Sequence, residues 1–293
     1  MATDFDYRAF TGRNIGFVSE AEQARIRDAS VFVCGVGGMG GACVLSLVRA
    51  GVGRLTIADI DRFELSNLNR QVFAFGGTLG MPKVDVVRDS LLSINPALDI
   101  ATYGAEWLDE LDVILPQAPV VINGMDDVHA GVLLYRKARQ HGATVIDAYA
   151  SPLPSVTVVR PDDPRPEERL RYPTVGRPAS EIDAVDADLC LRREIEYVMT
   201  HSSSRHHIDM DAAAEVLAGT RKRMSFAPMV ITAGNFMAFE AINVILDRRC
   251  GTDCRGYFFN PSTAEVERPL RPPLAWIAAF FVRRFLDRMS DER

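Results

Sequence analysis

Short apolar runs alternate with longer stretches of helical periodicity along the first half of the chain. The short runs span five or six residues, which is typical of strands that are buried on both faces of a sheet. They lie at 30–34, 54–58, 98–103, 119–123 and 143–147, and the helical stretches between them include 83–94 and 132–141. Because strands that alternate with helices are joined by crossovers, the pattern predicts an α/β fold with a doubly wound, mostly parallel sheet.

The second half of the chain follows a different pattern. A proline-rich, charged stretch at 161–180 predicts a long loop or crossover excursion. Further helices are predicted at 189–199, 209–221, 226–246 and 274–289, and hairpin strands at 257–259 and 264–266. The last helix carries Ile277, Phe281 and Phe285 on one apolar stripe, so we expect it to be amphipathic. The hairpin adds C-terminal antiparallel strands to the sheet.

A glycine-rich turn follows the first predicted strand directly and opens the first predicted helix. Because Gly35, Gly37, Gly38 and Gly40 lack side chains, the backbone can approach phosphate oxygens while the helix N-terminus supplies free N–H groups. An acidic residue, Asp59, ends the next strand. This order of elements is Rossmann-like and favours a nucleotide over a packing turn without a ligand. By itself it fits NAD as well as ATP.

Two cations downstream of the second strand distinguish these nucleotides. A pyrophosphate diester is held by the turn alone, whereas a triphosphate that is cleaved between its α and β phosphates needs positive charge on the leaving groups. Arg70 and Lys83 can supply that charge. Ordinary surface charge is the alternative for either residue taken singly. Together they favour ATP and leave an NAD-dependent oxidoreductase as a remote alternative.

The segment 31–95 resembles the ThiF/MoeB/HesA adenylyltransferases, which are E1-like relatives of the ubiquitin-activating enzymes. The motifs that carry the resemblance are G-x-G-G-x-G at 35–40, R-A-G-V-G at 49–53, D-I-D at 59–61, S-N-L-N-R-Q at 66–71 and G-M-P-K at 80–83. The resemblance continues more loosely at 123–127 and 227–242, and in total it covers about two thirds of the chain.

The resemblance implies roles for individual residues of these motifs. Asp59 would bind the ribose hydroxyls, and Asn67 would contact a phosphate or a carboxylate. Arg70 and Lys83 would bind the triphosphate and act in catalysis, together with the backbone of the glycine turn. Positioning and charge neutralisation would carry the rate, so no protein nucleophile is required.

A metal ligand and a residue acting between subunits are also implied. Asp126 would hold Mg²⁺, because a hard cation that bridges phosphates suits one carboxylate plus waters. Its alternative role is the N-cap of the next helix, which we expect Asp127 to supply instead. Arg13 matches the place of an arginine that reaches into the partner's ATP site in a homodimer, with an ordinary surface arginine as the alternative and Arg8 as a competing candidate.

The implied reaction is the adenylation of a carboxylate, with release of pyrophosphate. The leading hypothesis for the substrate is the C-terminal glycine of a ubiquitin-like sulfur carrier protein. A peptide C-terminus or the threonyl carboxylate of a modified tRNA is a second candidate, and a non-catalytic nucleotide-binding scaffold is a third. The joint presence of Asp59, Arg70, Lys83 and Asp126 argues against the scaffold.

The cysteines depart from the pattern of the family. Many members hold a structural zinc with two C-x-x-C pairs, but residues 161–165 carry no cysteine and Cys250 and Cys254 are spaced C-x-x-x-C. We therefore expect no structural zinc. Thr220 stands where ThiF-type enzymes carry a thioester-forming cysteine; Cys190 could substitute, although packing on a helix face is the favoured interpretation.

Composition and charge narrow the setting. The formal net charge of −6 disfavours nucleic acid as a partner. No leader-like pattern and no uncharged apolar run of about 18 residues is present, so no membrane contact is expected. Five cysteines, an odd number and mostly unclustered, do not suggest a disulfide framework and indicate a reduced, cytoplasmic setting.

These patterns divide the chain into four parts. They are an N-terminal arm and helix at 1–29, an ATP-binding Rossmann-like region at 30–160, a crossover or insertion that we expect to choose the substrate at 161–225, and a C-terminal helix, hairpin and tail helix of the same domain at 226–293.

Overall fold

The strands of the protein form one continuous eight-stranded sheet. The structure is a computed structural model that describes residues 5–217, 219–248 and 251–291. The strands are β1 (Ser30–Cys34), β2 (Arg54–Ala58), β3 (Asp99–Tyr103), β4 (Val120–Asn123), β5 (Thr144–Asp147), β6 (Ser155–Val159), β7 (Tyr257–Asn260) and β8 (Glu265–Glu267). Their order is β3-β2-β1-β4-β5-β6-β7-β8. Strands β1 to β5 are parallel and the last three are antiparallel, which confirms the predicted fold class.

The helices occupy most of the predicted positions. They are α1 (Tyr7–Thr11), α2 (Glu20–Asp28), α3 (Gly38–Arg49), α4 (Lys83–Ile94), α5 (Leu111–Ile114), α6 (Val128–Gln140), α7 (Pro166–Arg169), α8 (Ala184–His201), α9 (Met210–Leu217), α10 (Ala227–Ile245) and α11 (Leu274–Asp291). Helix α4 has the predicted bounds, and α8 extends beyond its predicted span at both ends. The short helices α1, α5 and α7 were not predicted.

Alternation along the central strands places two cores on opposite faces of the sheet. In β1, Val31 and Val33 belong to one hydrophobic cluster, which includes residues of α3, α4 and α10. The side chains of Phe32 and Cys34 point the other way, into a cluster with residues of α5 and α6. All four side chains are fully buried. Burial on both faces explains why the strands are continuous apolar runs in the sequence.

Strand β6 is a feature that the sequence pattern did not predict. It follows β5 after residues 148–154, a connection too short for the helical crossover that a parallel neighbour needs. The chain therefore turns back, and β6 pairs antiparallel with β5. All five of its residues are buried, so the sheet changes direction within the core rather than at its C-terminal edge.

Helix α10 is long and apolar enough to cross a membrane by length and composition alone. In this structure it is a core helix, because it packs along α3 and against β4, β5 and β6. Gly234 makes the contact with α3 close, since a Cβ there would lie 2.7 Å from the Cβ of Ala42. Val230, Met237 and Ala241 of this helix are buried, whereas Phe239 is exposed.

Arginine side chains of α6 hold the segment 161–225 on the body of the protein, and Arg136 makes contacts at several points of it. Arg136 of α6 forms a salt bridge with the buried carboxylate of Glu167, with Nε lying 3.0 Å from Oε2. The same guanidinium donates to the carbonyl oxygens of Thr174 at 2.9 Å and Arg177 at 2.7 Å. A planar cation with several donors thus ties three points of the segment to α6.

Helix α11 exists as predicted, but the stripe that we expected to define it is not its buried face. Phe281 is 64% exposed and Ile277 is 55% exposed, whereas Val282 and Leu286 are buried. The helix packs on α8 through the buried side. Both sides of α11 carry apolar residues, so periodicity alone could not tell which side faces the protein.

We predict that Gly40→Ala strongly destabilises the fold. A Cβ at Gly40 would overlap the carbonyl oxygen of Gly35, a backbone atom that cannot move aside. Overpacking of this kind should lower the free energy of unfolding by about 3 kcal/mol, measured by urea denaturation. Gly77→Ala is the matched control, because nothing lies within 4 Å of its Cβ position, and its change should stay within about 0.5 kcal/mol. Equal stability of the two variants would contradict the packing argument.

Candidate active site

A large cavity opens at the carboxyl ends of the parallel strands. Its volume is about 1330 Å³. Pockets for a single small ligand are typically about 300–1,000 Å³, so this cavity has room for a nucleotide and part of a second molecule. The glycine turn and the loops after β2 and β4 line one part of it. Helices α8 and α9 and residues 223–225 line the other part.

The glycine turn has the geometry of a phosphate cradle. Gly35 has a positive φ of 80°, and its N–H donates to the carbonyl oxygen of Ala58 at 2.7 Å. A Cβ on Gly35 would lie 2.7 Å from the backbone of Gly124, so the turn also packs tightly against the end of β4. Gly38 begins α3 behind a glycine N-cap, Gly37. The first N–H groups of the helix are therefore not used by a side-chain cap and can meet a phosphate.

Asp59 holds this turn in place. One carboxylate oxygen accepts from the N–H of Val36 at 2.9 Å, and the other accepts from the N–H of Asp61 at 2.9 Å. Burial raises the pKa of the Asp59 carboxyl, an effect that the nearby Lys83 ammonium and these two N–H groups oppose. The side chain thus fixes the position of the turn at the edge of the cavity.

The predicted cations and Asn67 line the same cavity. Lys83 is buried, and its Nζ donates to the exposed carboxylate of Asp61 at 2.8 Å. Arg70 donates to the carbonyl oxygen of Ser66 at 2.8 Å and so lies against its own loop. The Oδ1 atom of Asn67 accepts from the N–H of Glu64 at 3.0 Å, which leaves the Nδ2 group as the donor for a ligand.

Asp126 and Asp127 differ in their hydrogen bonds. Asp127 accepts from the N–H of Ala130 at 3.0 Å and caps α6, as expected. Asp126 lines the cavity, and no hydrogen bond or ion pair engages its carboxylate within the described ranges. One open carboxylate beside a phosphate cradle fits Mg²⁺, which takes one or two carboxylates plus phosphates and waters. Within those same ranges no group of three His, Cys, Asp or Glu residues is placed to hold a metal ion by protein side chains alone.

Two predicted site residues lie away from the cavity. Gly40 sits behind the turn, where it packs on Gly35. Arg13 is exposed in the turn before α2, and its neighbour Asn14 donates to the carbonyl oxygen of Ala50 at 3.1 Å. Ala50 ends α3, and a helix of this length is about 18 Å long, so Arg13 and the glycine turn lie at opposite ends of it. Within one chain Arg13 cannot reach the cavity.

Comparison with known proteins decides the family. The ThiF family model matches residues 11–273. The chain belongs to the ThiF family. The molybdopterin-synthase adenylyltransferase of Escherichia coli (strain K12) is 39% identical to it over 114 residues, which are 39% of this chain and 45% of that enzyme.

Two solved structures share this ThiF-family fold. The crystal structure of E. coli MccB with ATP aligns at a TM-score of 0.60 and 16% identity, covering 86% of this chain and 67% of that chain. The E. coli tRNA N6-threonylcarbamoyladenosine dehydratase TcdA aligns at 0.59 and 18%, covering 82% and 95%. At these identities the structures establish the fold, and the curated relative is matched over less than half of its length.

The cysteines of this ThiF-family chain lie apart from the cavity lining where they are described. Cys190 is fully buried in α8, and burial raises the pKa of its thiol to about 12. A thiol that is neutral and inaccessible is in no position to accept an activated acyl group. Cys254 is buried as well, and Cys250 lies outside the described residues, so the expectation of no structural zinc stays a prediction.

Sequence reasoning missed several residues that line the cavity. Gln71 lies over Gly37, and its buried Oε1 has no hydrogen-bond partner among the described residues. Asp147 is the last residue of β5 and Asp59 directly follows β2, so both acidic residues lie at strand ends, and this position of Asp147 was visible in the sequence. Burial raises the pKa of the Asp147 carboxyl to about 7, and the nearby charge of Glu194 adds to the effect.

We predict that Asp127→Ala and Asp126→Ala differ in their effect on stability. Loss of the Asp127 cap should lower the free energy of unfolding by about 1 kcal/mol. Asp126→Ala removes no described hydrogen bond and should change it by less than about 0.5 kcal/mol. Urea denaturation of both variants measures the difference. A larger loss at Asp126 would show that the two assignments are reversed.

Proposed function

We propose that the chain is an ATP-dependent adenylyltransferase, which activates a carboxylate as an acyl adenylate and releases pyrophosphate. The observation that carries the proposal is the convergence of the glycine turn, Arg70, Lys83, Asn67 and Asp126 on one cavity. A dinucleotide would leave the two cations without a role. The names of an adenylyltransferase relative and of an ATP-bound structural neighbour support the choice of nucleotide.

The residues divide the work of holding ATP. The N–H groups at the start of α3 face the phosphates, and Asp59 lies beside the ribose. Lys83 and Arg70 neutralise charge on the β and γ phosphates, since the Lys83 ammonium has donors left beyond its bond to Asp61. Asp126 would bind Mg²⁺, which when present neutralises phosphate charge and orients the leaving group.

The reaction then needs no protein nucleophile. An oxygen of the substrate carboxylate forms a bond to the α-phosphorus, and the bond from that phosphorus to the bridging oxygen breaks. Pyrophosphate leaves with the electron pair, and its charge is met by Arg70 and Lys83. The protein contributes alignment and charge stabilisation, which are the main sources of rate in phosphoryl and nucleotidyl transfer.

The proposed substrate is the C-terminal glycine of a ubiquitin-like sulfur carrier protein. The molybdopterin-synthase adenylyltransferase relative supports this class. So does the part of the cavity beyond the nucleotide, because α8, α9 and residues 223–225 form a wall along which an extended tail could approach. We infer that 161–225 chooses the substrate.

A carboxylate on a peptide or on modified tRNA is the alternative substrate. The name of TcdA, a structural neighbour, points to tRNA. The formal net charge of −6 disfavours a polyanion. A non-catalytic nucleotide-binding scaffold is the remaining alternative for the function. The reduced, cytoplasmic setting stays a prediction.

The proposed active unit is a homodimer. Arg13 lies at the far end of α3 from its own cavity, so a role in catalysis would place it at the site of a partner; an ordinary surface arginine is the alternative. An arginine supplied from another subunit adds charge stabilisation in the transition state.

We predict that Lys83→Ala and Asp126→Ala each lower ATP–pyrophosphate exchange by about 10²- to 10³-fold. Exchange should be seen with a carrier that ends in Gly-Gly and lost when that tail is removed. Circular dichroism checks that both variants are folded, and Gly77→Ala serves as the active control. Full activity of either variant would refute the role assigned to the replaced residue. Exchange that is driven only by tRNA or by unrelated peptides would show that the substrate is not a carrier protein.

We predict that two inactive variants complement each other if Arg13 acts between subunits. A heterodimer of Arg13→Ala and Lys83→Ala chains contains one site with an intact Lys83 and an intact partner arginine. After unfolding and refolding together, the mixture should recover about a quarter of the wild-type exchange rate per chain. Each variant refolded alone is the control. No recovery, in a mixture shown to contain heterodimers, would exclude the role between subunits.

A further inference from the structure

A chain of hydrogen bonds runs behind the loop that carries Asp126. The hydroxyl of Tyr135 on α6 donates to Oδ2 of Asp147 at 2.8 Å. The Nδ2 group of Asn123 donates to the same oxygen at 2.9 Å. At the other end of its amide, Oδ1 of Asn123 accepts from the N–H of Met125 at 3.3 Å. These hydrogen bonds thus connect helix α6, the ends of β4 and β5, and the turn before Asp126.

The pairing of β4 with β5 produces this contact. Ile122 lies opposite Ile146, so Asn123 and Asp147 are neighbours at the carboxyl ends of the two strands. The second carboxylate oxygen of Asp147 accepts from the N–H of Ala148 at 2.7 Å. Both oxygens are therefore occupied, which fixes the carboxylate in one orientation.

The orientation of the Asn123 amide follows from that of Asp147. An amide has a donor end and an acceptor end, and only one orientation presents the donor to Asp147 and the acceptor to the N–H of Met125. The reverse orientation would oppose two acceptors at one end and two donors at the other. Asp147 therefore fixes the orientation of the Asn123 amide, and that amide fixes the backbone turn at Met125.

The same turn is anchored on the phosphate cradle. The N–H of Gly124 donates to the carbonyl oxygen of Cys34 at 2.8 Å, and Gly124 packs against Gly35 and Gly40. Between this anchor and Asp127, which caps α6, the Asp126 carboxylate makes no hydrogen bond to any residue that the structure describes. Its carboxylate is placed by the backbone on either side of it.

We propose that Tyr135, Asp147 and Asn123 are positioning residues that aim the Asp126 carboxylate at the Mg²⁺ of a bound nucleotide. The inference rests on the role proposed above for Asp126. Partners behind a metal ligand commonly change metal affinity by about 10- to 100-fold when they are replaced. These three residues would hold the metal ligand in position. Their effect can therefore be measured on the binding of Mg²⁺ and nucleotide, without turnover.

Exchange of the two groups tests the proposal. Asp147→Asn turns one of the two acceptor oxygens into a donor, which must then oppose either the Nδ2 group of Asn123 or the N–H of Ala148. Either mismatch disturbs the fixed pair, so the Mg²⁺ concentration for half-maximal binding of a fluorescent ATP analogue should rise about 10- to 100-fold. The double variant Asn123→Asp/Asp147→Asn restores one donor facing one acceptor and leaves an oxygen for the N–H of Met125. It should bring the Mg²⁺ midpoint back to within about threefold of wild type.

A control separates positioning from a general loss of stability. Tyr135→Phe and Tyr197→Phe each remove one hydroxyl, the latter bonded to the carbonyl oxygen of Arg255 at 3.0 Å and away from the cavity. Only Tyr135→Phe should raise the Mg²⁺ midpoint. Urea denaturation confirms that every variant is folded under the binding conditions.

Three outcomes would overturn the proposal. An unchanged Mg²⁺ midpoint in folded Asp147→Asn, or a double variant no better than the single one, rejects the positioning role alone if Asp126→Ala still raises the midpoint. An unchanged midpoint in Asp126→Ala rejects the metal role and the positioning role together. Because the experiment measures binding, it tests the positioning role even if the protein binds Mg²⁺ and ATP but shows no pyrophosphate exchange.

Discussion

The close contact of three glycines is the constraint on which the cavity depends. Gly35, Gly40 and Gly124 meet where β1, α3 and the end of β4 come together, at distances that leave no space for a Cβ. This contact lets α3 start directly behind the turn and brings the loop after β4 beside it. The phosphate cradle and the proposed metal ligand are therefore parts of one packed unit, and a side chain at any of these positions would separate them.

Periodicity predicted most of the fold because burial on both faces produces continuous apolar strands, and such strands are visible in a single sequence. It did not predict β6, whose place depends on the length of the connection before it. Nor did it predict which side of α11 is buried. Phe281 is exposed although it is a large apolar residue, while Val282 beside it is buried. Such choices depend on neighbours distant in sequence.

The same distinction applies to the site. Asp59 was predicted from its position after a strand, because the carboxyl ends of parallel strands meet at one edge of the sheet. The roles of Asn67 and Asp126 were implied by the resemblance to the family. The contacts between elements were not predictable in this way. The bond between Lys83 and Asp61 and that between Asn123 and Asp147 both join residues more than 20 positions apart. Arg13 is a different case, because its proposed site belongs to a second chain.

The bond between Lys83 and Asp61 also bears on how the site handles charge. A buried ammonium without a partner would be costly, and Asp61 supplies the partner from the exposed side of the pair. A triphosphate can then share the ammonium with Asp61, because its three donors need not point at one acceptor. Because the Lys83 side chain is already ordered in the cavity wall, binding a triphosphate costs little further side-chain entropy. We infer that Asp61 keeps Lys83 in position for the phosphates rather than competing with them.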